Sequence, residues 1–234
     1  MRIKIKKRFN GPASSGHGGL TCGILAQYIK STAEVTLLKP IPLEKDLSIN
    51  RNSDDSLQLL DGDMVIATAH KADFQLSPPP PPSYSDAVEA SKMYIGFKDE
   101  YLYPDCFGCG RNRKSGDGLR IFPGRLSGNN IVAAPWIPDE ELQDSLGRIK
   151  DEFLWAALDC PGGIACVGDR IHPILLGKFA VEIKEHPKPT QRCVVTGWPI
   201  AQEGRKHFAG TALYSEEGKL LAYGKAIWIQ RRSH

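Results

Sequence analysis

The feature that most constrains this 234-residue chain is an order of patterns that occurs twice. Each time an apolar helical stretch is followed by strand-like segments, and five consecutive prolines, Pro78–Pro82, stand between the two occurrences. In the first, "VTLLKPIPLEKDLSI" is a strand, a proline break and a strand, and "LQLLDGDMVIATAHKADF" is a hairpin turning at Asp61-Gly62. In the second, "VEIKEHPKPTQRCVV" and "TALYSEEGKLLAYGKAIWI" repeat both patterns, with Glu217-Gly218 at the turn. A helix followed by a meander, repeated, is an internal duplication, and each unit must wrap several strands around one core helix.

The helices are expected near residues 18–29, within "FNGPASSGHGGLTCGILAQYI", and near Ile149–Cys160, where Phe153, Leu154, Ala156, Ala157 and Leu158 are apolar. Pro161 predicts that the second helix stops there. Further strands are expected at "GLRIFPGRL" and "NNIVAAPWIP". "RIKIKKR" at residues 2–8 alternates isoleucine with cations and reads as an edge strand. The proline run enforces an extended spacer, with a short helix after it that Ser85 would cap and that would bury Ala87, Val88 and Met93. The division is therefore 1–76, a linker at 77–104, and 105–234. The two sheets are expected to join edge to edge, because pairing hides two edges that would otherwise invite aggregation.

A net charge of +3 with dispersed basic residues does not suggest a nucleic-acid partner. No run approaches the roughly 18 apolar residues of a membrane span. The N-terminal charges are not followed by the apolar run of a signal peptide, so the cytoplasm, where thiols stay reduced, is the expected compartment. Among the six cysteines, Cys106 and Cys109 form a CxxC motif. Zinc would require a second ligand pair, and Cys160 with Cys166 is a poor match in spacing, so no metal and no cofactor is expected. No thioredoxin-like context supports a redox role for the motif.

With the duplication in view, the motifs resemble those of the hotdog-fold thioesterase superfamily. Asn10 followed by His17-Gly18-Gly19 resembles the Asn…His-Gly-Gly signature of phenylacetate-pathway-type acyl-CoA thioesterases, "FLWAALDCPGG" the matching helix with Asp159 in the acidic position, and "CFGCG…GDGLRIF" an entry strand. The resemblance covers all but the linker. It implies an α+β double hotdog, each half an antiparallel sheet around one long helix, and an acyl-CoA or acyl-carrier thioester as partner. A homo-oligomer of this pseudo-dimer is a further expectation.

Thioester hydrolysis develops charge on the carbonyl oxygen, and a helix N-terminus offers unpaired amides to meet it. Gly18 and Gly19 would supply those amides without a Cβ in the way, while His17 and Asn10 would orient the thioester or a water. In the similar enzymes an acid stands nine positions after the histidine; here that position is Ala26, followed by Gln27. Nine residues before Asp159 stands Lys150, with no His-Gly-Gly beside it. The resemblance thus implies one composite site, with Gly18 and Gly19 facing Asp159 within about one water molecule across the halves. Asp159 could instead satisfy local amides near a helix end, and Asp151 and Glu152 read as acids suited to the first helical turn.

Lys178, Lys184, Arg205 and Lys206 are candidates for coenzyme A phosphates, and the four tryptophans read as core rather than acyl-pocket residues. Three functions stay open: an acyl-CoA thioesterase, a degenerate hotdog that binds an acyl-CoA or apolar ligand, and a hotdog dehydratase or hydratase using His17 with Asp159.

Overall fold

The computed structural model describes residues 1–168 and 171–231. Strands β1 (Arg2–Lys4), β2 (Ala33–Leu37), β3 (Asp46–Arg51), β4 (Leu57–Asp61) and β5 (Met64–Lys71) come from the first half. Strands β6 (Gly124–Arg125), β7 (Val132–Trp136), β8 (Ile174–Ile183), β9 (Cys193–Glu203), β10 (Lys206–Ser215) and β11 (Leu220–Gln230) come from the second. Together they form one sheet in the order β1-β3-β4-β5-β2-β8-β11-β10-β9-β7-β6. From the β2–β8 seam outward, β2-β5-β4-β3 on one side mirrors β8-β11-β10-β9 on the other. The seam is antiparallel, with Ala33 opposite Val181 and Val35 opposite Phe179. This is the tandem hotdog architecture: two helices, α1 (Gly18–Ala26) and α3 (Asp151–Val167), packed on an extended antiparallel sheet.

Helix α1 buries seven of its nine residues. A helix apolar on nearly every side belongs in a core, and this one lies against α3 as well as β2 and β8. The crossing is close. A Cβ on Gly19 would lie 2.6 Å from Asp159 Cβ, and one on Gly23 would lie 2.7 Å from Glu152 Cα. Gly19 and Gly23 are four residues apart, so they share the face on which α3 rests.

Helix α3 does not stop at Pro161 but runs on to Val167, ending at Gly168 with φ 64°. An interior proline costs about 3 kcal/mol through its missing donor and its clash with the preceding turn. Close packing on the sheet offsets that cost: a Cβ on Gly197 would meet the Pro161 carbonyl oxygen at 2.3 Å, and Gly163 lies against the Trp228 ring. Asp159 is therefore in the middle of a 17-residue helix and not at its C-terminus.

Three local expectations are corrected. The short helix α2 (Tyr84–Ser91) is capped by Ser83, whose Oγ accepts from the Asp86 N–H; it buries Ala87 and Ala90, while Met93 is exposed. "GLRIF" is not a sheet strand. Its Leu119 and Ile121 amides donate instead to the Phe107 and Gly108 carbonyls, folding the segment onto the CxxC loop. "RIKIKKR" supplies edge strand β1 only as far as Lys4, and Lys7–Phe9 turn into a 3-10 helix.

Candidate active site

Asn10 and Gly16 close a small loop by an isolated bridge, which delivers His17 to the start of α1. The Asn10 side chain holds this loop to the other half. Its Nδ2 donates to the Gly11 carbonyl at 3.1 Å and the Asp105 carbonyl at 3.2 Å, and its Oδ1 accepts from Arg113. The Phe107 amide donates to the Asn10 carbonyl at 2.8 Å. Asn10 is thus fixed beside the CxxC loop and does not line the cavity described below.

His17 is the N-cap of α1. Its backbone is extended, and Nδ1 accepts from the Leu20 amide at 3.3 Å. The same Nδ1 lies 3.4 Å from Asp159 Oδ2. Burial takes the imidazole down to about 4, so it is neutral at physiological pH and this approach is not an ion pair.

Asp159 projects from the middle of α3 onto the first turn of α1. The Gly19 amide donates to its Oδ2 at 2.7 Å, a contact 140 residues apart in sequence. Its Oδ1 is buried without a hydrogen-bond partner. Burial pushes the carboxyl up to about 7, and the Gly19 amide offsets only part of that shift. A carboxyl of this kind is present in both protonation states near neutral pH, the condition for taking up and returning a proton. The Gly18 amide, first in the helix, has no protein partner among the described residues, and Gly18 also lines the cavity.

At the opposite end of the helix pair, Gln27 Nε2 donates to Glu152 Oε2 at 2.5 Å on the surface. Ala26 is where the first half would carry a matching acid. Asp151 pairs with His186 at 2.7 Å, half exposed in the first turn of α3.

The cysteines gather where linear spacing hid them. Cys106 Sγ lies 3.8 Å from Cys160 Sγ, and Cys160 Sγ lies 3.5 Å from His17 Nε2. Cys109 is within side-chain hydrogen-bonding reach of Cys106 and Cys160, and Tyr101 Oη is 3.3 Å from its sulfur. Bonds from the two neighbouring thiols hold the Cys109 thiol well below its usual range. The cue in the sequence was the CxxC motif, and the glycine inside it permits the approach: a Cβ on Gly108 would lie 2.7 Å from both Cys160 Sγ and His17 Nε2.

A cavity of about 590 Å³ opens over these groups. Gly18, His17 and Asp159 stand on its wall with Cys106, Cys109 and Cys160, and aliphatic residues such as Leu37, Ile164 and Leu176 supply most of the rest. Both halves contribute. Trp136, Trp155 and Trp228 lie in the core, Trp228 also lining the cavity, and Trp198 packs against the cluster of Ala212, Tyr214 and Tyr223. The expected phosphate cations lie elsewhere. Lys178 pairs with Glu34 at 2.6 Å, Lys184 with Glu182 at 3.1 Å, and Arg205 donates to the Gln230 carbonyl. Among the described residues, the lysine and arginine on the cavity wall are Lys39 and Arg231. No helix among the described residues is long and apolar enough to cross a membrane.

No protein-family model and no curated protein sequence matches the chain. Solved structures do. A conserved protein of unknown function with a hot dog fold from Alicyclobacillus acidocaldarius matches at TM-score 0.63 and 12% identity, over 100% of this chain and 93% of that one. The acyl-CoA thioesterase II TesB2 of Mycobacterium marinum matches at TM-score 0.63 and 10% identity, over 99% and 93%. The tesB protein of Mycobacterium avium subsp. paratuberculosis matches at TM-score 0.59 and 11% identity, over 99% and 92%. At such identities the likeness is one of fold, and along its whole length this chain has the tandem hotdog fold that these proteins share.

Proposed function

We propose that the protein is a thioester hydrolase acting on acyl-CoA or acyl-carrier thioesters, with one composite site between residues 1–76 and 105–234 and residues 77–104 as the linker. The observation that carries this reading is Asp159, a buried carboxylate from the second half placed on the first turn of the first half's helix, at the wall of an apolar cavity. The acyl chain occupies the aliphatic cavity and its carbonyl points at the N-terminus of α1. Asp159 takes a proton from water as that water attacks the carbonyl carbon. The Gly18 amide and the helix end hold the oxyanion. When the C–S bond breaks, the proton on Asp159 passes to the leaving thiolate, giving a carboxylic acid and a thiol. Gly19 orients the carboxylate by its hydrogen bond, and His17 and Asn10 hold the loop that presents both glycines.

The test is a panel of acyl-CoAs of graded chain length, followed by free-thiol release. Turnover of at least one, abolished in Asp159→Asn, supports the reading. One observation favours a second reading: the Gly19 amide, a candidate oxyanion donor, is already taken by Asp159. A hotdog that binds an acyl-CoA or apolar ligand without turnover would show saturable binding and no thiol release from any member of the panel.

A further inference from the structure

We propose that Cys106, Cys109, Cys160 and His17 form a mononuclear zinc site that ties the two halves together beneath the cavity. His17, Cys106 and Cys160 are all buried, with their ligand atoms within 4.8 Å of one another; the Cys109 sulfur lies outside that set and becomes the fourth ligand by turning its side chain inward. Zinc held tetrahedrally at about 2.3 Å from sulfur and about 2.0–2.1 Å from nitrogen places neighbouring sulfurs about 3.8 Å apart, and a sulfur and a nitrogen about 3.5 Å apart. Two pairs already have those separations: 3.8 Å between Cys106 and Cys160, and 3.5 Å between Cys160 and His17 Nε2. The Cys106–Cys160 distance is also far too long for a disulfide.

The surroundings suit a metal. Cys106-Phe107-Gly108-Cys109-Gly110 folds as a tight knuckle, with the Gly110 amide donating to the Cys106 carbonyl at 2.8 Å. The Cys109 amide is directed at the Cys106 sulfur. Gly108 leaves room between the knuckle and the other two donors, where any side chain would strike Cys160 and His17. Tyr101 covers Cys109 from outside. Behind His17, Asp159 Oδ2 stands 3.4 Å from Nδ1. With Nε2 on a metal, the ring proton resides on Nδ1, which then donates to that carboxylate in place of accepting from the Leu20 amide, the outer-shell arrangement common to metal-bound histidines. Three thiolates and one imidazole select zinc over hard cations, and donors gathered this tightly hold one ion rather than a two-iron cluster. Four protein ligands close the coordination shell, so the zinc is structural. It joins a loop of the first half to a loop and the central helix of the second.

Protein purified without chelator and without added metal is assayed by elemental analysis. The expected result is about one zinc per chain, falling below about 0.1 in Cys106→Ser and Cys160→Ser and unchanged in Cys166→Ser and Cys193→Ser. Should the two ligand variants prove insoluble, the wild-type protein decides alone. Zinc removed by a chelator is replaced by Co(II), which must give tetrahedral visible bands and thiolate charge-transfer absorption, and metal removal must lower the thermal midpoint by more than about 5 °C. Wild-type protein without zinc that gives no thiolate–Co(II) spectrum overturns the proposal. So does a metal-free chain in which Cys106 is oxidised to a disulfide with Cys109 or Cys160. None of these readouts depends on thioester hydrolysis.

Discussion

Gly19 and Asp159 meet where α1 and α3 cross: the glycine amide donates to the carboxylate at 2.7 Å, and a Cβ on the glycine would lie 2.6 Å from the aspartate Cβ. One contact therefore serves both packing and placement. The absence of a side chain lets the helices approach, and the approach brings a carboxylate from one half to the helix N-terminus of the other.

Gly19→Ala tests the packing part. The added methyl would also lie 2.6 Å from the Trp155 carbonyl oxygen, which is backbone and cannot turn aside. Overpacking of this kind costs about 1–3 kcal/mol, so the denaturant midpoint falls with little change in slope. At Gly18 the nearest atoms are Leu176 Cδ2 at 3.0 Å, Leu176 Cβ at 3.2 Å and Leu37 Cδ1 at 3.3 Å, and none is closer than 3.0 Å. The two Cδ atoms can rotate aside and Leu176 Cβ needs to give only a few tenths of an ångström, so Gly18→Ala loses less stability than Gly19→Ala. Equal midpoints for the two variants would contradict the close crossing.

Asp159→Asn tests the placement. Asparagine still accepts from the Gly19 amide but is neutral and cannot act as a base. Turnover of a thioester substrate falls by about 10²–10⁴-fold, the usual worth of a positioned base. Stability is kept or rises, since the variant buries no charge. A variant that loses its thermal midpoint and keeps its turnover would make Asp159 a packing residue.

The mirror position provides a control. Gln27 is exposed, and its side chain donates to Glu152 at the surface. Gln27→Ala should change stability by less than about 0.5 kcal/mol and leave turnover within about twofold of wild type. A large loss of turnover would mean that the other end of the helix pair carries chemistry as well.

The fold was legible because duplication leaves marks that need no tertiary information: the strand–proline–strand and hairpin patterns recur, and they occupy mirrored places in the sheet. The proximity of Asp159 to the Gly18–Gly19 turn came from the resemblance to hotdog thioesterases, whose spacing of histidine and acid showed that each half lacks what the other has. Pro161 misled because local propensity predicts a stop, whereas packing of Pro161 and the glycines after it against β9–β11 carries the helix through. The cysteine cluster was illegible because its members are far apart in sequence, 54 residues from Cys106 to Cys160 and 143 from His17 to Cys160. Spacing rules detect ligands on one loop, not ligands brought together by a helix crossing.

The seam between the halves supplies the last prediction. Phe179 on β8 stands opposite Val35 on β2, is fully buried, and meets the Trp155 ring of α3 edge-on at 5.3 Å. It therefore touches the first half's edge strand and the second half's helix at once. Phe179→Ala removes a buried ring that the close-packed surroundings cannot replace and costs about 3–5 kcal/mol. For a chain of this size each kcal/mol lowers the thermal midpoint by about 2–4 °C, so a fall of about 6–20 °C is expected. One sheet running through both halves should also melt as one unit, with calorimetric and van't Hoff enthalpies in agreement for the wild type and for the variant. Two separate transitions, only one of them shifted by Phe179→Ala, would show that the halves fold independently and that the β2–β8 pairing contributes little to holding them together.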